Sequence, residues 1–136
     1  MADLRYLQIG DNIEFYDVQS QIRWGGTIQE INMERNIVKT DRFPIIKGYL
    51  IIDPDITEPA LLNLGFRKYN DTELKIWSIL CNERLFSAGY YNSDIKLQVF
   101  QLGINWRFRY TYENKFACYN RMNSLTYLRS ICWGLR

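Results

Sequence analysis

The sequence contains no histidine and only three cysteines. Without histidine the chain cannot build His-based acid–base sites, Ser–His or Cys–His nucleophile pairs, or zinc sites with His ligands. The cysteines are odd in number and lack CxxC spacing: Cys81, Cys118 and Cys132. We therefore expect three reduced, inert thiols, with one disulfide plus a leftover thiol as the alternative. We therefore predict that the protein is not an enzyme and that it binds no metal ion or cofactor.

Long apolar runs are also missing. No stretch approaches the roughly 18 residues that a membrane span needs, and the first residues lead into mixed polar sequence rather than a signal peptide. The hydrophobic fraction of 47% and the aromatic fraction of 15% favour a packed core over disorder. We expect one domain of 136 residues, reduced and cytoplasmic, without membrane contact.

The segment from Ile52 to Trp77 connects two β-rich halves through a short helix. Thr57 is a predicted N-cap, and Gly65 a predicted helix end. The expected apolar face of this helix consists of Leu61, Leu62 and Leu64. Residues 69–72 are predicted as a turn and residues 74–81 as a strand.

The first half has short apolar alternations separated by turn residues. Strands are expected at 13–16, 22–31, 37–40 and 48–52, with a bulge or sharp bend at the glycine pair Gly25-Gly26. This pattern is typical of a bent sheet or an SH3-like small barrel.

The second half is predicted as an antiparallel β-meander followed by a C-terminal helix. The remaining strands are expected at 85–88, 95–101 and 106–112, with a loop at 89–94. The helix is expected over 121–133, with Gly134 as its C-cap. Its apolar stripe consists of Leu125, Leu128, Ile131 and Cys132, extended upstream by Met122. The fold class is a β-rich α+β single domain, with subdomains 1–53 and 54–136.

Positive charge is concentrated near the C-terminus, where residues 101–136 carry six basic side chains against Glu113 alone. These six residues are a candidate nucleic-acid or partner surface: Arg107, Arg109, Lys115, Arg121, Arg129 and Arg136. A solvated helix face is the simpler reading of the last three. The aromatic residues at 106, 108, 110 and 112 alternate with arginines, which favours a core face over a base-stacking platform.

The only acidic cluster consists of Asp53, Asp55 and Glu58. It lacks the spacing of a calcium loop, so we expect capping and turn roles for these carboxylates.

Three short sequence motifs resemble those of a family of small proteins encoded by phages, prophages and conjugative elements of Bacteroidetes. The family's opening "LRIGN" is similar to residues 7–12, LQIGDN. Its "ITEE-LL-GF" phrase is matched by Ile56-Thr57-Glu58, Leu61-Leu62 and Gly65-Phe66. Its closing helix, of the form "VHQLQNLYFALTG", is similar to residues 122–134, without the histidine.

The resemblance implies a phage or mobile-element setting and no known activity. We therefore expect a non-enzymatic module that binds a host or phage protein, located in the bacterial cytoplasm or in a virion. An inhibitor of a host defence system and a virion or assembly component are the two roles considered. The alternative is a nucleic-acid-binding module that uses the basic C-terminal third.

Overall fold

The computed structural model describes residues 3–110, 115–119 and 124–135. It is an α+β structure with two antiparallel sheets and a C-terminal helix, as predicted. The chain separates into two compact units, one formed by residues 1–55 with 124–131 and the other by 56–123 with 132–136. The division at 55/56 lies close to the predicted 53/54, but residues 124–131 belong to the first unit rather than the second.

The first unit is built on one five-stranded antiparallel sheet. Its strands are β1 (Asn12–Asp17), β2 (Ile22–Asn32), β3 (Ile37–Thr40), β4 (Ile46–Lys47) and β5 (Ile51–Ile52), in the order β4-β3-β2-β1-β5. Short 3-10 helices cover Leu4–Tyr6 and Gly48–Leu50. In the described residues β4 and β5 are the two edges of an open sheet, so the bent-sheet form of the prediction applies and not the closed barrel.

The core of the first unit follows from alternation along its strands. In β1, Ile13 and Phe15 are buried while their neighbours Glu14 and Tyr16 are exposed. Their buried partners from the rest of the unit are Leu4, Leu7, Ile28, Val38, Ile46 and Ile51. This period of two is what a sheet with one buried face requires.

Two details of the first sheet differ from the prediction. Strand β2 runs unbroken through the glycine pair, and the register irregularity lies between Ile28 and Glu30 instead. The predicted strand 48–52 begins with a 3-10 turn, and only Ile51 and Ile52 pair with β1. The backbone N–H of Gly48 donates to the Asn36 carbonyl at 2.8 Å, which holds that turn beside the β2–β3 hairpin.

The second unit contains the other five-stranded sheet. Its strands are β6 (Arg67–Lys68), β7 (Ala88–Asn92), β8 (Leu97–Leu102), β9 (Asn105–Tyr110) and β10 (Lys115–Tyr119), in the order β10-β9-β8-β7-β6. Two helices precede the main strands, α1 (Glu58–Asn63) and α2 (Asp71–Leu80). The C-terminal helix α3 covers Leu125–Gly134.

The prediction of a turn at 69–72 and a strand at 74–81 is wrong, because α2 occupies this segment. Asn70 and Glu73 form a capping box: the Asn70 side chain accepts from the Glu73 N–H at 2.8 Å, and the Glu73 carboxylate accepts from the Asn70 N–H at 3.1 Å. At the other end, Asn82 has a φ of 54° and the Glu83 N–H donates to the Ser78 carbonyl, which is a Schellman ending. The residues that begin and end α2 therefore lie within or directly beside the helix in the sequence.

The predicted loop at 89–94 is also wrong, since most of it is β7, and the predicted strand at 85–88 contributes only Ala88. Gly89 lies in the middle of β7. A Cβ there would meet side-chain atoms of Leu74 and Tyr69 at 2.9 Å. The glycine therefore marks the close approach of α2 to the sheet rather than a loop.

Helix α1 confirms the predicted capping. The Thr57 hydroxyl accepts from the Ala60 N–H at 3.4 Å, and Gly65 follows the helix with a φ of +91°. The predicted apolar face is only partly right: Leu61 is fully buried, whereas Leu62 is 50% exposed.

Helix α3 starts later than predicted, at Leu125. Its buried stripe consists of Leu125, Leu128 and Cys132, with Ile131 half-buried. Gly134 is the last helical residue and has no positive φ, so it is not a left-handed C-cap. Met122 lies outside the described residues.

Leu61→Ala should lower the free energy of unfolding by about 2–5 kcal/mol, because it empties a fully buried site. Leu62→Ala is the matched control and should change it by less than about 0.5 kcal/mol. Urea unfolding followed by circular dichroism measures both. Equal losses for the two variants would contradict the observed orientation of α1.

Asn70→Ala should cost about 1 kcal/mol, since it removes the side-chain acceptor of the capping box. The same urea experiment measures this loss. Asn63→Ala, at the last residue of α1 where no capping hydrogen bond is made by its side chain, serves as the comparison. An unchanged midpoint for Asn70→Ala would mean that packing alone determines α2.

Candidate functional site

Arg129 is a buried structural residue rather than part of a solvated helix face. It is 5% exposed, and its guanidinium donates to both carboxylate oxygens of Asp11 at 2.7 and 3.0 Å and to the Tyr6 carbonyl at 2.8 Å. Asp11 in turn accepts from the backbone N–H of Gln8 at 2.8 Å. This bidentate pair joins α3 to the N-terminal turn of the first unit, so Arg129 cannot serve an exposed nucleic-acid surface.

The two arginines of β9 are also engaged within their own unit. Arg107 forms an ion pair with Glu83, with only 20% and 29% of the two side chains exposed. Arg109 donates to the buried Gln98 carbonyl oxygen at 2.8 Å, and its guanidinium lies 4.9 Å from the Trp77 ring centroid. Partly buried arginines that are paired within the fold in this way are poorly placed to bind a phosphate, because binding would break the pairing.

The predicted separation of aromatics and arginines on β9 holds for the described residues. Trp106 and Phe108 are buried on one face, whereas Arg107 and Arg109 share the other face with Gln98 and Phe100, their register partners. Tyr112 lies outside the described residues, as do Arg121 and Arg136. Lys115 is placed only as the first residue of β10. No shared surface of arginine and exposed aromatic rings forms on the described part of this strand.

Gln98 links the aromatic cluster beneath α2. Its amide donates to the Tyr69 hydroxyl at 2.8 Å, and Tyr69 is stacked between rings of the cluster, 6.0 Å from Phe100 and 6.2 Å from Tyr91. Burial raises the pKa of the Tyr69 hydroxyl, and the Gln98 hydrogen bond partly opposes that rise. A phenol held neutral in this way contributes to the core and is not an acid–base group at neutral pH.

Asp53 supports the N-terminus of α3 through two hydroxyl groups and does not itself cap a helix. Its two carboxylate oxygens accept from the Ser124 and Thr126 hydroxyls, both at 2.7 Å. Ser124 in turn accepts from the Tyr127 N–H at 3.1 Å, which makes it the N-cap of α3. Within the described ranges no group of three or more acidic, Cys or His side chains could hold a metal ion.

The two cysteines whose side chains are described are free thiols. Cys132 is buried and Cys81 is half-buried. Burial raises the pKa of Cys81, and the nearby Arg109 opposes that rise only in part. The side chain of Cys118 lies outside the described residues. A raised pKa is the opposite of what a nucleophilic cysteine needs, so Cys81 is not suited to that role.

A half-exposed apolar surface lies beside the turn that joins β1 to β2, and the sequence pattern did not predict it. Ile22 and Trp24, which alternate on one face of β2, are 51% and 37% exposed. The Phe43 ring packs edge-on against both Trp24, at 5.8 Å between centroids, and the buried Phe15, at 4.9 Å. We call Ile22, Trp24 and Phe43 the Trp24 surface.

The loop that carries Phe43 is fixed by hydrogen bonds. The buried Thr40 hydroxyl accepts from the Phe43 N–H at 3.1 Å, and the Thr40 N–H donates to the Phe43 carbonyl at 2.9 Å. Asp41 exchanges further hydrogen bonds with Thr27 of β2. A Cβ at Gly26 would meet Thr40 at 2.9 Å, so this glycine permits the close approach of the loop. The Trp24 surface therefore rests on a rigid frame.

The glycine pair was the available signal for this surface. The pair predicts a bulge or sharp bend, whereas the structure shows that Thr40 and Asp41, in the loop that carries Phe43, pack against Gly26. Nothing local in the sequence indicates that Trp24 remains exposed, since it occupies the same alternating face as the buried Phe15.

No family model, no curated protein and no solved structure matches this chain. Within the described residues, none of the helices has the length and apolar character needed to cross a membrane.

Arg129→Ala should cost about 3–5 kcal/mol, because it leaves the Asp11 carboxylate without its buried partner. Chemical unfolding of the purified variant measures this. Arg5→Ala is the control, since the Arg5–Asp3 pair is exposed at the surface and its loss should barely move the midpoint. Similar small shifts for both variants would contradict a structural role for Arg129.

Proposed function

We propose that this protein is a non-enzymatic protein-binding module, and that the Trp24 surface is where it holds an apolar segment of its partner. The observation that carries the proposal is the partly exposed Trp24–Phe43 pair on a hydrogen-bonded frame. Aromatic residues are enriched at the centres of protein interfaces, where a few of them supply most of the binding energy.

The rigidity of the frame supports this proposal. A partner that docks on Trp24 does not have to order the loop of Phe43, because Thr40 and Asp41 already hold it. Binding to a preformed surface avoids the entropic cost of ordering side chains and loops. An apolar side chain of the partner can then be buried against the rings of Trp24 and Phe43 and against Ile22 at the same time.

The charges of the site favour a protein over a nucleic acid. Arg23, the residue next to Trp24, points to the opposite face and lies 4.0 Å from Glu14. The described arginines of the basic C-terminal third are occupied by Glu83, Gln98 and Asp11. Nucleic-acid binding relies on cations that are free to neutralise phosphates.

The resemblance to small proteins of Bacteroidetes phages and mobile elements suggests the setting of this module. We propose a partner from the host, such as a component of a defence system, or from the virion and its assembly. Both roles require a stable protein–protein contact and no catalysis.

Trp24→Ala should weaken binding to the partner at least about tenfold, because central interface tryptophans are frequent hot spots. Tyr16→Ala is the matched control: Tyr16 is 39% exposed on the same hairpin but on the opposite face, and its loss should leave binding unchanged. Affinity capture from the natural host, quantified by mass spectrometry for wild type and both variants, gives the comparison. Circular dichroism melts establish that each variant is folded.

Three results would contradict the proposal. The first is that the wild type, Trp24→Ala and Ile22→Asp all capture the partner equally well. Another is a partner lost with Tyr16→Ala instead. The third is capture of single-stranded DNA or RNA with an affinity that falls steeply with salt, which would favour the nucleic-acid alternative.

A further inference from the structure

Helix α2 exposes an apolar stripe on the side turned away from its sheet. Ile76, Ile79 and Leu80 are spaced i, i+3, i+4 and are 51%, 78% and 66% exposed. Leu85, just after the helix, is 59% exposed. We call these four residues the α2 stripe.

The stripe is not needed to hold α2 in place. The opposite side of the helix already packs on the sheet through Leu74 and Ser78, which are buried, and through Trp77, whose ring stacks with Tyr69 and lies tilted against Phe100. An amphipathic helix of a monomer usually places polar residues on its outer face. Here that face carries isoleucine and leucine side chains, with the exposed Lys75 beside them, and the exposure of these apolar groups to water is unfavourable.

The exposed area is large enough to matter. The four side chains leave on the order of 500 Å² accessible, which equals the largest apolar patches of typical monomers, and those patches are often functional. With a polar rim, an interface centred on such a stripe approaches the roughly 800 Å² per partner of a stable complex.

We propose that the occupant of the α2 stripe is a second copy of this chain, with the two α2 helices antiparallel across a twofold axis. A twofold interface must be complementary to itself. The α2 stripe meets this condition because its four members are uncharged and apolar, so no unpaired charge is buried when two copies meet.

The charges at the ends of α2 favour the antiparallel arrangement. Asp71 is exposed at the first residue of the helix, and Arg84 is exposed just beyond its end. Antiparallel helices bring the Asp71 end of one copy to the Arg84 end of the other. The two helix dipoles then also lie with unlike ends together.

A dimer would present two Trp24 surfaces in one particle. A partner with repeated binding segments, such as an assembled virion component, would then be held with an effective concentration that a monomer cannot supply. The self-association itself is independent of the proposed function and can be tested without any partner.

Sedimentation velocity of the purified protein at several concentrations tests the proposal. The wild type should show a dimer, and Ile79→Glu should weaken it by at least about 30-fold, because it places a charge in the stripe. Ile104→Glu is the matched control: Ile104 is likewise 78% exposed but lies in the β8–β9 turn, and this variant should remain dimeric. Since both sites are exposed, both variants should fold.

A charge exchange tests the orientation. Arg84→Asp should weaken the dimer about two- to fivefold, the range for surface ion pairs, and the double variant Asp71→Arg with Arg84→Asp should restore it. A wild type that stays monomeric up to about 100 µM would overturn the proposal, because an interface of standard size commonly gives dissociation constants below this. Equal weakening of the dimer by Ile79→Glu and Ile104→Glu would also overturn the proposal. If the double variant did not restore dimer affinity, the antiparallel arrangement would be wrong.

Discussion

The bidentate contact between Arg129 and Asp11 is the constraint on which the first unit depends. It joins residues 118 apart in sequence, with 6% and 14% of the two side chains exposed. Asp53 adds a second long-range link by accepting from Ser124 and Thr126. A guanidinium and a carboxylate buried together stabilise each other, but either alone carries a large desolvation cost. The N-terminal sheet and residues 124–131 are therefore parts of one packed unit.

Local signals in the sequence predicted local structure well. The Thr57 cap, the Gly65 ending and the alternation of β1 were all readable, because each depends on residues within a few positions. Helix α2 was missed although its capping box was present. Its apolar residues at 74, 76, 79 and 80 fit both a strand and a helix, and only Asn70 and Glu73 distinguish the two. Where periodicity is ambiguous, the capping residues are the better evidence.

The candidate site was much less predictable, because exposure is decided by distant contacts. Arginine is usually a surface residue. Arg129 is nevertheless buried, because its partner Asp11 lies near the other end of the chain. Trp24 and Phe15 share one face of paired strands and both contact Phe43, yet one ring is partly exposed and the other is buried. For the three described arginines of the C-terminal third, a cluster of positive charge in the sequence was therefore a poor indicator of exposure.

The exposed apolar surfaces are better candidates for recognition than the described polar groups. The described arginines of the C-terminal third, the Asp53 carboxylate and the buried Gln98 all make hydrogen bonds inside a unit. Polar groups already satisfied within the fold have little to gain from a ligand. The Trp24 surface and the α2 stripe are the opposite case, since each leaves apolar area exposed to water. Recognition through such surfaces depends on shape and burial, and its strength should vary little with salt.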